Sequence, residues 1–500
     1  MKKILKGLTG LALSVGLLTA CGEEEQPNNF VTISGIPPTA VVEAGQRVGP
    51  VTANINANDG LASLVIIKNG ATVETINFNG ETSASHEFSY TSTEEDANSN
   101  VVFEFVVTDS NGDSQTVTHV LTVGEEATTL RITENIEEDV TWETGKVYVL
   151  TDRITVTGGA TLTIQPGVIV KGEAGSGPNA TALVIARGSK INAVGNADQP
   201  IIFTSVADEI EPGMIASPNL DPNITGLWGG LLILGNAPSS LAGDVSEVQI
   251  EGIPPSDTNG LYGGDDPDDD SGMLKFISIR HGGANIGEGN EINGLTLGGV
   301  GSTTVIENIE VVANEDDGIE WFGGTVSVKN AIVWSSADDA IDTDQSWAGE
   351  LDNFIIVAGS ETDHAFEIDG PEGSFNAAHT IKNGTVIGHE AAELGDFRDG
   401  ARASLQNIYF FGFGDPAATE GRGDFSLDGD GSVSNFESGV LNFNNLQVTL
   451  PEGVALTDVF RHGTHVHATA VAEGENTVGA DKSAFANWSW TAVAGNLDDL

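Results

Sequence analysis

Cysteine is nearly absent from this chain of 500 residues: Cys21 is the only one, so no intramolecular disulfide can form. Basic residues are scarce too. Twenty Lys and Arg face 73 Asp and Glu, for a formal charge of −53. That balance excludes nucleic acid as a natural partner and sets the chain against an anionic bilayer surface. Aromatic residues make up only 6% of the chain. No long stretch has the 3.6-residue apolar period of an amphipathic helix. Beyond the first twenty residues no apolar run approaches the length needed to span a membrane as a helix. Glycine is abundant by contrast, at 63 residues, and suits tightly turning β structure.

The lone cysteine has a specific use. Met1-Lys-Lys-Ile-Leu-Lys6 is a basic n-region, Gly7–Leu18 is apolar, and Leu18-Thr19-Ala20-Cys21 looks like a bacterial lipobox. The expectation is a signal peptide over 1–20, a lipidated Cys21 and a polar tether to residue 30. Gly22-Glu-Glu-Glu25 resembles an export signal that sends lipoproteins to the outer surface, so the expected location is the outer membrane, facing outward. The alternative is a solvated tether on a lipoprotein that faces the periplasm.

Residues 31–123 carry seven short alternating runs separated by Gly, Asn and Asp. Seven strands in about 90 residues match an immunoglobulin-like β-sandwich, expected to act as a spacer.

From about Leu130 a longer rhythm takes over. Five lines repeat: Ile306–Val311, Val328–Val333, Leu351–Ile356, Ile381–Val386 and Leu405–Phe410. Their central asparagines, Asn308, Asn330, Asn353, Asn383 and Asn407, are spaced by 22, 23, 30 and 24 residues. Units of this length cannot bury an apolar face alone and must stack. The reading is an all-β, right-handed parallel β-helix over 130–500 with a C-terminal cap, for which Trp488-Ser-Trp490 is the candidate plug. Equivalent residues then form columns about 4.8 Å apart, and an Asn column hydrogen-bonds along the axis.

The residues preceding each Asn alternate in sign (Glu307, Lys329, Asp352, Lys382, Gln406) and neutralise one another. The opposite face does not. Asp316-Asp-Gly-Ile-Glu320, Asp338-Asp-Ala-Ile-Asp342 and Asp363-His-Ala-Phe-Glu367 repeat one line on successive coils. Placing Ile319, Ile341 and Phe366 inward predicts three outward acidic columns. The first is Asp316, Asp338, Asp363 and Glu393. The second is Glu320, Asp342 and Glu367, extended back by Glu288. The third is Asp344, Asp369 and Asp399. Between Asp316 and Asp369 there are thirteen acids and one lysine. Carboxylates one rung apart repel by about 3.5 kcal/mol at an effective dielectric of 20. Two answers stand. Either divalent cations, Ca²⁺ above all, bind Asp316, Glu320, Asp338, Asp342, Asp363, Glu367 and Asp369, or the side chains splay into water and salt screens them. Trp347, with Asp344 and Asp399, is a candidate sugar-stacking and ligand-binding position; a core role for Trp347 is the alternative.

Ser336-Ala-Asp-Asp-Ala340 loosely resembles the paired Asp of polygalacturonase-type β-helix hydrolases, but that family's Asn-Thr-Asp and Gly-His-Gly lines are missing at matching coils. Arg280–Gly299, Trp228-Gly-Gly and the Asp-Asp-Gly-Ile-Glu coils together resemble a group of parallel β-helix lipoproteins of aquatic Gram-negative bacteria. The resemblance implies fold and location and supplies no catalytic residue. The expected function is a non-catalytic surface binding protein for a glycan or an outer-membrane partner. The alternatives are a Ca²⁺-dependent polysaccharide lyase or glycoside hydrolase, and a purely structural surface protein.

Overall fold

A computed structural model describes residues 31–126, 128–175, 180–284, 292–418, 422–498 and 500. The leader, Cys21, the tether and Glu288 lie outside the described residues. The chain divides into two compact units, Met1–Ala127 and Thr128–Leu500.

In the first unit, strict alternation builds a sandwich. Along Ser99–Asp109 the side chains of Val101, Phe103, Phe105 and Val107 are buried and their neighbours are not, as a strand with one covered face requires. Three strands, Val31–Ser34, Arg47–Ala57 and Ser83–Thr91, form one sheet. Thr39–Ala44, Ser114–Glu126, Ser99–Asp109, Leu61–Lys68 and Ala71–Asn77 form the other. The eighth strand, Val31–Ser34, was not expected; its four residues are too short to show a period. Phe88 packs edge-on against Phe103 and Phe105 at 5.0 and 5.3 Å, a favoured aromatic geometry. Asp96 is buried beside it. Burial alone would push its carboxyl up, but bonds from the Tyr90 hydroxyl (2.5 Å), the Thr93 amide (2.9 Å) and the Lys68 ammonium (3.0 Å) outweigh that and hold it well below its ordinary range.

The second unit is a parallel β-helix. A nine-stranded short sheet runs from Ile154–Val156 to Phe425–Leu427, one strand per coil. The opposite wall is a sixteen-stranded sheet. Its early coils carry two separate rows, which merge in Gly272–Arg280: the first half of that strand pairs with Lys190–Val194 and the second with Ile201–Ser205. From there each coil turns a corner within one strand. The corner residue has positive φ: Phe276 at 54°, then Asn308, Asn330, Asn353, Asn383, Asn407 and Asn445 between 56° and 63°. Asn tolerates this left-handed backbone better than other side chains do. The amides stack as expected. Asn330 donates to Asn308 (3.3 Å), Asn353 to Asn330 (2.7 Å), Asn407 to Asn383 (3.0 Å) and Asn445 to Asn407 (2.9 Å). Asn383 donates instead to Asp352 at 2.7 Å. The interior is a continuous column of Ile, Val, Leu and Phe, each buried side chain contributing about 1.5–3 kcal/mol.

Trp488 and Trp490 do not plug the end of the stack. After Ala468–Ala470 the chain runs back along the outside of the long wall. Thr477 meets Gln447, Ala480 meets Thr385, Asp481 meets Asn353, and Asn308 donates to Ala484. Trp488 then packs edge-on against Phe276, and Trp490 against Trp334 and over Arg280. Trp488, with Phe485 and Leu497 of the same segment, joins Ile332 and Ile355 of the flank in one apolar cluster, and Trp490 joins Val312 and Ala313 in another. This strap also closes over a buried pair. Glu310 accepts from the Thr491 amide and hydroxyl, both at 2.8 Å, and faces Arg280 at 3.7 Å. Phe460 bridges to Phe425 and packs against Phe410 and Phe425 at the last coil, where the plug was expected.

A candidate carboxylate-lined binding face

Strand pairing on the short sheet decides the columns. Glu320 lies opposite Asp342, Asp342 opposite Glu367, and Glu367 opposite Asp396. Thr296 lies opposite Glu320 on the upstream side, and Ser426 opposite Asp396 on the downstream side. Beside it, Asp344 pairs with Phe322 on the preceding strand. Because Ile368 pairs with Phe397, the position after Asp369 is Arg398. Asp399 is one residue further on, exposed, with φ of 51°.

The first column needs a larger correction. Glu393 is level with His364 rather than Asp363, as their bridge shows. The residues that line up on the sheet are the second of each acidic pair: Asp317, Asp339, His364 and Glu393. The Asp339 amide donates to Asp317 Oδ1 at 2.9 Å, and the His364 amide and Nδ1 donate to Asp339 Oδ1 at 2.8 and 2.7 Å. Asp316, Asp338 and Asp363 stand outside this line, Asp338 exposed. Alternation fails because the preceding segment is a turn, not a strand: the Asn314 amide bonds the carbonyls of Asp317 and Ile292 at 2.8 and 3.2 Å.

Nor is this an open, screened strip. Glu320, Asp342 and Glu367 are only 4, 8 and 8% exposed. Burial first, and neighbouring carboxylates second, push Asp317, Glu320 and Asp342 well above the usual carboxylate range. The same causes raise Asp344 to about 6 and Asp369 to about 8. Glu393 rises to about 7, burial outweighing the opposing pull of His364. Burial pulls the His364 imidazole down, but its bond to Asp339 and the surrounding acids more than offset that and raise it.

The downstream half of the face imports positive charge. Arg398 binds Glu367 and, at 2.8 Å, Asp369. Arg422 lies against Asp363 and, at 3.6 Å, Glu393. His364 stands 3.6 Å from both Glu367 and Glu393. Four sets bring one ligand atom per residue within 4.8 Å of one another: Asp339, His364 and Glu367; Asp363, His364 and Glu393; Asp316, Asp317 and Asp338; and Asp317, Glu320 and Asp342.

Residues 134–493 match the family described as the Pectate-lyase like beta helix domain. The chain belongs to that family. Among curated proteins no relative matches. Two solved structures are similar over part of the chain. A Yersinia enterocolitica family 28 exopolygalacturonase is 12% identical, covering 87% of this chain and all of its own, at a TM-score of 0.23. Fibronectin(III)-like modules of Clostridium thermocellum CbhA are 9% identical, covering 19% of this chain and 99% of theirs, at 0.15. Neither likeness is close enough to carry a functional argument.

Along the rim of the pectate-lyase-like domain runs a cleft of about 1260 Å³, lined among others by Ser335, Ser336, Asp338, Thr362, Asp363 and Arg422. Asp338 and Asp363 therefore belong to the cleft rather than to the sheet face. Trp347 belongs to neither. It is fully buried inside the coil, stacked on Trp321 at 4.5 Å, with its indole N–H donating to the Val326 carbonyl at 2.8 Å. No sugar can reach it. His364, Asp339, Asp317 and Arg422 are the site residues that sequence reasoning passed over. The shared three-residue step in Asp317–Glu320, Asp339–Asp342, His364–Glu367 and Glu393–Asp396 was the available signal.

Proposed function

We propose that the pectate-lyase-like domain is a surface-displayed, non-catalytic glycan receptor. In this reading a lipid on Cys21 anchors it at the outer membrane, and the sugar chain lies along the downstream half of the carboxylate face and the adjoining cleft. One observation carries the reading. A cleft of about 1260 Å³ borders a row of hydrogen-bond acceptors, and Arg398, Arg422 and His364 are held among them as donors. Sugar hydroxyls need both kinds of partner at short, regular spacing, and a stacked face repeats its chemistry at each rung. A second reading, hydrolysis or lyase chemistry, draws on Glu393. A carboxyl that titrates at about 7 meets the requirement for a general acid near neutrality.

One experiment separates the readings. The Cys21→Ser chain, expected in the soluble fraction, is incubated with immobilised neutral and acidic polysaccharides with and without Ca²⁺. Retention on one glycan class without new reducing ends or unsaturated products is the expected result. Cleavage products would replace the receptor with an enzyme. No retention on any glycan would remove the glycan reading, and a Cys21→Ser chain that is processed normally and still found in the membrane fraction would remove the anchor.

A further inference from the structure

The acidic face is not uniform, and its upstream end is unbalanced. Glu320 and Asp342 face each other on adjacent strands, and Asp317 precedes Glu320 by three residues. One carboxylate oxygen from each lies within 4.8 Å of the others. Among the described residues, no Lys, Arg or His forms an ion pair with any of the three, whereas Asp369 has one such partner and Glu367 and Glu393 have two each.

Two further atoms lack partners at the same place. Asp342 is 8% exposed, and its Oδ1 makes no hydrogen bond. Asn293 is fully buried. Its amide nitrogen donates to Glu320 Oε2, which seats the side chain on the cluster, yet its Oδ1 is also without a partner. A buried acceptor left unpaired costs about 1–3 kcal/mol, and Glu320, which accepts from Asn293 and lies opposite Asp342, stands between the two. Both are oxygens, as are the three carboxylates. A donor set made only of carboxylate and amide oxygens, without His or Cys, selects a hard cation over zinc. Calcium accepts such a set in irregular geometry and completes it with water, while magnesium demands a near-ideal octahedron.

We propose that Asp317, Glu320, Asp342 and the side-chain oxygen of Asn293 form a buried Ca²⁺ site in the wall of the β-helix. The ion holds neighbouring coils together at the upstream, enclosed end of the acidic column. It is separate from the glycan reading, because its ligands are enclosed and its loss acts on stability rather than on the downstream face.

The test uses the whole soluble chain, stripped on a chelating resin and then dialysed against CaCl₂. Bound calcium is counted by mass spectrometry of the desalted protein, and melting is followed by tryptophan fluorescence. The expected result is about one retained calcium per chain and a melting temperature that climbs by several degrees with added Ca²⁺, as mass action requires. MgCl₂ at the same concentration should give a much smaller shift. Asp342→Asn should weaken calcium binding at least tenfold, while Glu393→Gln, in a different acidic set, should leave it within twofold. No retained calcium and no shift at 10 mM Ca²⁺ in the unaltered chain would overturn the proposal. A calcium affinity that Glu393→Gln lowers and Asp342→Asn does not would overturn it equally. If Asp342→Asn does not fold, the calcium count and melting shift of the unaltered chain still decide.

Discussion

Two ladders climb the same β-helix, one of amides at the corner of the long wall and one of carboxylates on the short sheet. Their geometry is the same: one residue per coil, in register, about 4.8 Å apart. Their energetics are opposite. An Asn side chain carries a donor and an acceptor, so each amide satisfies the next, as Asn308, Asn330 and Asn353 do. An ionised carboxylate only accepts. A column of them must share protons, recruit His364, Arg398 and Arg422, or bind a cation. Stacking therefore amplifies whatever a position carries, self-complementary or self-repelling.

Breaking the neutral ladder should have the largest effect. Asn353 donates to Asn330 and accepts from the Asp481 amide, both at 2.7 Å, at φ of 63°. Asn353→Ala removes both bonds and leaves a β-carbon in the left-handed region, at an expected cost of about 2–3 kcal/mol. Asn353→Gly keeps the backbone at ease and should cost about 1 kcal/mol less. Urea unfolding followed by tryptophan fluorescence checks both, since all seven tryptophans lie beyond residue 141 and report the solenoid alone. Equal losses for Ala and Gly would show that backbone strain contributes nothing.

The acidic ladder sharpens the comparison through pH. Asp369 and Glu393 titrate at about 8 and about 7 in the folded chain, above their ordinary 3.8 and 4.5. The folded state thus holds protons that the unfolded chain has released. Stability is full below the unfolded values and falls as pH rises through 7 and 8. In chelator, the solenoid should be less stable at pH 8.5 than at pH 5, by about 2 kcal/mol after discounting for solvent screening. Stability that rises over this window would refute the raised values. Asp96 works the other way, its depressed carboxyl losing stability in acid, but the first unit has no tryptophan and stays silent.

The smallest effect belongs to the mixed-sign column. Lys382 bridges Glu350 at 2.9 Å and Asp352 at 3.9 Å on a solvated face. Lys382→Ala should change stability by less than about 0.5 kcal/mol. A loss above 1 kcal/mol would mean that this column, too, is a structural ladder.

Sequence reasoning read the coils well because Asn returns at intervals close to one coil, and stacking converts that interval directly into register. It placed Ile319, Ile341 and Phe366 inward for the same reason, and all three are fully buried. It chose the wrong member of each acidic pair because alternation holds only in extended chain, and Asp316–Gly318 is a turn. Arg398 and Arg422 reach acids 29 to 59 positions away, a distance that no local pattern encodes. Trp347 misled because a lone Trp beside acids reads alike whether it faces a sugar or, as here, Trp321.

The strap has a consequence for how the molecule folds. A solenoid whose coils touch only their neighbours behaves as a one-dimensional array, able to form and fray coil by coil. Here Thr491 bonds Glu310 across 181 positions, and Asp481 bonds Asn353 across 128. These contacts tie early, middle and late coils into one loop. Contacts this distant in sequence slow folding, and they turn piecemeal fraying into a single cooperative transition. On a ribosome the coils from Arg280 to Asn353 would emerge with the apolar flank around Ile332 and Ile355 still bare, covered only when the strap is synthesised.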